Sequence, residues 1–218
     1  MPQHTAPPPP TPPEPPEPPA GGPGPVDLRP FMAAFPTGVS VVTTVDTEAR
    51  PHGLTCSSVA SVALAPPTLM VGIRTASPTL AVLLAQGRFT LNLLHEGARA
   101  VSDLFASGDP DRFDHVDWRL PLGAGGPHLI ESAHAFADCA VERALRIGDH
   151  TAVFARVSRV TVREDPAPLL YGLRRYGAWS TTAPPPSPAP TPAPVPAQPP
   201  AHPRRPAPSS LGVGRVGN

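Results

Sequence analysis

The residues best suited to chemistry lie in Arg50–Leu64, which reads RPHGLTCSSVASVAL, and in two later pieces, Ser77-Pro-Thr79 and Arg88–Leu94 (RFTLNLL). Thr55, Ser57, Ser58 and Ser61 set small hydroxyls beside Gly53 and between apolar runs. Such residues let a backbone come close to a flat or phosphorylated ligand. A phosphate calls for hydroxyls, backbone N–H groups and preferably a cation. Other chemistries lack their residues. Every basic side chain is arginine, so a Schiff-base lysine is excluded. Cys56 and Cys139 are far apart and show no metal-ligand spacing, which predicts buried, reduced thiols and no metal site.

The elements that must hold these residues are mostly strands. Asp27 is expected to cap a helix from Leu28 to Phe35 whose face of Leu28, Phe31, Met32 and Phe35 lies against the domain. Val39–Val45 is β-branched almost throughout and predicts a strand, with a polar turn at 46–50 and a returning strand over His52–Cys56. Thr68–Ile73 predicts a strand buried on both faces. Ser77 precedes a helix over Pro78–Gln86 that Gly87 closes. Arg88–Leu94 alternates, placing Phe89, Leu91 and Leu93 inward and Thr90 and Asn92 on a polar face. A second helix is expected near 97–106, then a loop over 107–127. Two long strands, Ala135–Ile147 and Thr151–Val162, flank the turn signal Gly148-Asp149, with a bulge near Arg156–Ser158. Leu169–Tyr176 adds a last strand. The fold class is mainly β with a few helices, an antiparallel barrel. The run Gly123-Ala-Gly125-Gly126 follows no strand and is no dinucleotide fingerprint.

Of the 37 prolines in 218 residues, thirteen fall in 1–25 and thirteen in 181–218. Both tails have too few large apolar side chains to offset the entropy of ordering, so they are expected to be disordered around one domain, 26–180. The 17 basic and 17 acidic residues balance, and no dense basic run marks a nucleic-acid partner. The leader has no apolar core of a secretory signal, and no apolar run approaches the roughly 20 residues of a membrane helix. A cytoplasmic protein is expected.

The series Phe35-Pro-Thr-Gly-Val39, Arg50-Pro-His-Gly-Leu-Thr-Cys-Ser-Ser58, Ser61-Val-Ala-Leu-Ala-Pro-Pro67, Ser77-x-Thr-Leu80, Gly87-Arg-Phe-x-x-Asn92-Leu, Asp111-Arg-Phe113 and Gly148-Asp-His150 resembles the flavin reductase family. The resemblance spans about Asp27–Tyr176. It implies an FMN-binding split β-barrel that works as a homodimer, binds FMN (or FAD), takes hydride from NADH or NADPH, and supplies reduced flavin to a separate monooxygenase. On this resemblance Gly53, Leu54 and Thr55 lie along the isoalloxazine, and Ser57 and Ser58 reach the ribityl chain or phosphate. Ser77, Thr79 and Arg74 are the phosphate candidates; an N-cap role for Ser77 is the plain alternative. Asn92 orients the flavin or makes a structural bond to backbone. His150 lines the nicotinamide side, hydrogen-bonding without transferring a proton, or else pins its turn. Tyr171 and Tyr176 match a Tyr-His-x-Gly-x-Tyr pattern for nicotinamide, but the family's histidine is Gly172 here and its glycine is Arg174. Arg174 and Arg175 are candidates for a 2′-phosphate, hence NADPH. That departure also leaves an alternative function, a flavin-binding electron-transfer or storage module without NAD(P)H turnover.

Overall fold

Residues branched at Cβ are stiff and pack well on a pleated surface, and the chain builds its centre from them. The computed structural model describes residues 26–164 and 166–179; the two proline-rich segments, expected to be disordered, lie outside the described residues. In order, the chain forms α1 (Arg29–Ala33), β1 (Thr37–Gly38), β2 (Ser40–Val45), β3 (Pro51–Cys56), β4 (Val59–Leu64) and β5 (Pro67–Arg74). There follow α2 (Pro78–Gln86), β6 (Arg88–Leu94), α3 (Arg99–Ser107), a 3-10 turn (Arg112–His115), β7 (Trp118–Arg119) and β8 (His128–Leu129). The last strands are β9 (Ala133–Ile147), β10 (His150–Val162), β11 (Leu169–Gly172) and β12 (Arg175–Ala178).

Seven strands form one antiparallel sheet in the order β3-β2-β6-β9-β10-β5-β4. Its two edges, β3 and β4, are joined by Ser57 and Ser58 alone. The sheet therefore curls until the end of β3 meets the start of β4, and the Gly72 N–H of β5 donates to Ser58 O at 2.8 Å, extending the β4–β5 ladder into this link. A smaller sheet, β1-β11-β12, sits beside it. Gly148 and Asp149 make the β9–β10 turn as expected, and the register slips at Ser158, between Val157 and Arg159.

Alternation along the strands gives two cores. Val42, Val71, Ile73, Phe89, Leu91, Cys139 and Val153 fill the interior with Leu80 and Leu83 of α2. Val41, Leu94, Leu129 and Leu169 face outward and are covered by Phe105 of α3 and by Phe113. Each such side chain contributes about 1.5–3 kcal/mol by leaving water. The thiols of Cys56 and Cys139 are free, and burial pushes them up to about 11 and about 12.

The polar face of β6 is not solvated. Thr90 and Asn92 are fully buried, whereas Leu93, expected in the core, is 36% exposed. The segment 124–129 crosses this face, and its backbone satisfies the polar groups. Thr43 Oγ1 donates to Pro127 O (2.6 Å), and Thr90 Oγ1 accepts from the Gly126 N–H (3.1 Å). Gly125 and Gly126 lie flat on the strands. A Cβ on Gly125 would sit 2.5 Å from Phe89 N, and one on Gly126 would collide with the Thr43 carbonyl. Beneath them Asp138 is bonded by Arg159 Nε (2.7 Å), Thr90 Oγ1 (2.8 Å) and His128 Nε2 (3.0 Å).

Other expectations need correction. The first helix is shorter than expected and buries nothing: Leu28, Phe31, Met32 and Phe35 are exposed, and Asp27 pairs with Arg29 at 2.8 Å. In β5 only Val71 and Ile73 are buried. Leu169–Tyr176 is part of a hairpin turned by Leu173 and Arg174, both at positive φ (50° and 58°). Strands β4, β7 and β8 were not anticipated. Among the described residues no helix is long and apolar enough to cross a membrane.

Gly126→Ala is expected to cost about 3 kcal/mol through overpacking and to lower Tm by roughly 6–12 °C in a thermal melt. Burial raises the Asp138 carboxyl, but the bonds from His128, Thr90 and Arg159 outweigh it and hold it below its usual range. A carboxyl depressed in the folded state adds stability that is present above its unfolded value of about 3.9 and is lost as pH falls through the folded value. The stability difference between wild type and Asp138→Asn in denaturant titrations should therefore be wide at neutral pH and narrow below about pH 4; a gap constant with pH would contradict this.

Candidate functional site

The seam of the barrel and the start of α2 meet at a polar pocket of about 350 Å³. Its walls include Leu54 and Thr55 from β3, Ser57 and Ser58 from the seam, Arg74 from the end of β5, Ser77, and His150 from the start of β10. Their convergence follows from register: His150 pairs with Arg74 across β10 and β5, and the chain turns from Arg74 directly into α2.

Ser77 is the N-cap of α2, extended at φ −69° and ψ 126°, but its side chain makes no capping bond. Pro78 has no N–H, so the free donors of the first turn begin at Thr79. Arg74 enters no salt bridge among the described residues. A hydroxyl, a helix N-terminus and an unpaired guanidinium together favour an anion. His150 Nδ1 lies 2.9 Å from Asp149 Oδ1, which leaves Nε2 as the ring nitrogen for a ligand. The hydrogen bond and charge of His150, with Arg74 nearby, hold the Asp149 carboxyl low.

Several expected residues are engaged elsewhere. Gly53 is behind the wall, where a Cβ would meet Phe105 at 2.9 Å and Phe113 at 3.0 Å. Thr79 is 5% exposed and its hydroxyl faces Gly53 O at 3.4 Å, away from the expected phosphate position. Thr55 lines the pocket, but its hydroxyl donates to Ser102 O (2.6 Å) and ties α3 to β3. Asn92 does not reach the pocket; its Nδ2 donates to Val41 O (3.2 Å) and Thr43 Oγ1 (3.0 Å), and Oδ1 accepts from the Leu129 N–H (2.9 Å). The Tyr176 hydroxyl donates to Asp103 Oδ1 (2.7 Å), and its ring lies under Arg99. Partners distant in sequence hold these five side chains or positions, which local spacing cannot reveal.

Tyr171 lines a second, larger cleft of about 690 Å³ with Met32, Thr37, Met70 and Arg174. Ser57 and Ser58 line both cavities, so the seam is their common wall. Phe105 closes the first pocket from α3 and stacks edge-on against Phe113 at 5.0 Å. Met32 and Met70 carry no recognisable signal in the sequence, whereas Thr37 lies within the Phe35–Val39 series.

A profile of the flavin reductase like domain matches residues 32–180. A flavin reductase (NADPH) from Lentzea aerocolonigenes is 46% identical, covering 71% of this chain and 89% of that protein. A flavin reductase (NADH) from Kitasatospora aureofaciens is 42% identical, covering 75% and 87%. Among solved structures, the NADH:FAD oxidoreductase of Streptomyces globisporus in complex with NAD and FAD fragments aligns with a TM-score of 0.67 at 31% identity, covering 72% and 93%. The styrene monooxygenase flavin reductase of Pseudomonas putida S12 aligns with a TM-score of 0.64 at 32% identity, covering 71% and 98%. A mainly antiparallel sheet closed by a two-residue seam, with a polar pocket at the start of α2, is thus the split barrel of these enzymes, and the chain belongs to the flavin reductase family.

Proposed function

We propose that the protein is an NAD(P)H:flavin oxidoreductase that reduces FMN, with FAD as a second acceptor, and delivers the reduced flavin to a separate monooxygenase. The observation that carries this reading is the pair of cavities that share Ser57 and Ser58 as one wall. Two substrates that react by direct contact need adjoining sites. The residues of the smaller pocket suit a flavin phosphate: Arg74, Ser77 and the first-turn N–H groups of α2 are a cation and donors gathered at one end.

Flavin and nicotinamide supply the hydride chemistry when bound. The chain's own residues bind and orient. Arg74 and Ser77 would hold the phosphate, the backbone of Leu54, Thr55 and Ser57 would serve the polar edge of the ring, and Ser58 would border the ribityl chain. His150 Nε2 offers a hydrogen bond on the nicotinamide side and moves no proton. Phe105 and Leu54 keep water from the ring, which lowers the local dielectric. Tyr171 lies in the larger cleft and serves the nicotinamide nucleotide.

The working form is a homodimer. An apolar groove of about 360 Å³ runs along β4 and the ends of β9 and β10, with Leu64, Val160 and Val162 exposed at 89%, 60% and 67%. A second copy of the chain is the occupant that supports such surfaces, since large apolar patches on one protein mark association sites. The cytoplasm, which holds the NAD(P)H pool, is the proposed location.

Purified protein should oxidise NADH or NADPH only when FMN or FAD is added, in steady-state assays with FMN, FAD and riboflavin in turn. A rate no faster than free flavin, with tight yellow cofactor, would favour the storage module instead. Arg74→Ala with Ser77→Ala should raise KM for FMN roughly 10–100-fold while changing riboflavin, which lacks the phosphate, far less. Leu64→Glu with Val160→Glu should halve the sedimenting mass; an unchanged mass would remove this groove from the interface.

A further inference from the structure

The larger cleft carries a charge that flavin binding does not use. Arg29 and Arg174 line it and, among the described residues, no carboxylate does. Arg29 is already matched, since Nε and Nη2 donate to the two oxygens of Asp27 at 2.8 and 3.1 Å. Arg174 enters no salt bridge among the described residues.

Its place is also fixed. Leu173 and Arg174 form the β11–β12 turn at φ 50° and 58°, a region that residues with a Cβ hold only where the surroundings impose it. Here α1 imposes it: the Leu173 N–H donates to Ala33 O at 2.6 Å, and Gly172 packs so closely that a Cβ would lie 3.1 Å from Pro36. The turn is thus bound to the end of α1, and its arginine borders the cleft between them.

NADPH differs from NADH by one phosphate on the adenosine ribose. A guanidinium recognises phosphate through paired N–H donors, whereas a site for NADH commonly offers a carboxylate to the ribose 2′-hydroxyl. This cleft has the first and lacks the second. Relatives at 46% and 42% identity are named for NADPH and NADH respectively, so membership of the family leaves the choice open.

We propose that Arg174 reads the 2′-phosphate of NADPH in this cleft and makes the chain prefer NADPH to NADH. The inference rests on the flavin reductase reading above.

The test measures kcat/KM for NADPH and NADH at saturating FMN in wild type, Arg174→Gln, Arg174→Lys and Arg175→Gln. Wild type should favour NADPH by at least about tenfold, and Arg174→Gln should cut that ratio at least about tenfold through KM for NADPH. Arg174→Lys should recover part of it. Arg175 pairs across β12 with Gly172 and does not line the cleft, so Arg175→Gln should keep the wild-type ratio. A wild-type ratio of one or below, or equal losses for both coenzymes in Arg174→Gln, would overturn the inference. Calorimetric titration with 2′,5′-ADP and 5′-AMP separates it from the parent reading. Tighter 2′,5′-ADP binding that Arg174→Gln abolishes supports the phosphate site even if no flavin is reduced; equal binding of the two nucleotides defeats it even if flavin is reduced.

Discussion

Strands β3 and β4 occupy opposite edges of a seven-stranded sheet, yet only Ser57 and Ser58 separate them in the chain. Two residues span at most about 7 Å, so the sheet has to curl until its edges touch. A curled sheet of this kind leaves little of its backbone edge unpaired, which removes the hazard of an exposed strand. Closure also dictates the site. It brings the ends of β3, β5 and β10 to one seam, where Leu54, Arg74 and His150 meet. Burial pushes the thiols of Cys56 and Cys139 above their usual range, which disfavours the thiolate form.

The outer face shows how a polar group can be structural while looking functional. Asn92, Thr43, Thr90 and Asp138 form a layer between β2, β6 and β9 and the segment 124–129, with every partner supplied from within the chain. Fully satisfied networks of this sort specify one arrangement of a loop on a sheet. Gly125 and Gly126 are small for the same reason: their backbone, not a ligand, lies against the strands.

Local signals were legible in the sequence. Ser77, Pro78 and Gly87 bounded α2 as found, the β-branched run marked β2, Gly148-Asp149 marked the long hairpin, and the slip near Ser158 was visible as broken alternation. Each depends on neighbours in sequence. What was missed depends on distant partners. β4 is a run of small residues without clear alternation, and its strand character comes from β5. The apolar side of α1 promised burial, but among the described residues nothing buries it. At the site, Leu54, Ser57, Ser58, Arg74, Ser77 and His150 converge, whereas Gly53, Thr79, Asn92 and Tyr176, expected there from the family resemblance, are held by Phe105, Gly53 O, Val41 O and Asp103.

The shared wall has a thermodynamic meaning. Ser57 and Ser58 are one short piece of backbone with a cavity on either side. A molecule that settles this backbone from one side alters the surface met from the other. Where occupancy of the small pocket changes affinity for the large cleft, linkage makes the reverse effect the same factor. Ser57 and Ser58 therefore stand both at the closure of the sheet and between its two cavities.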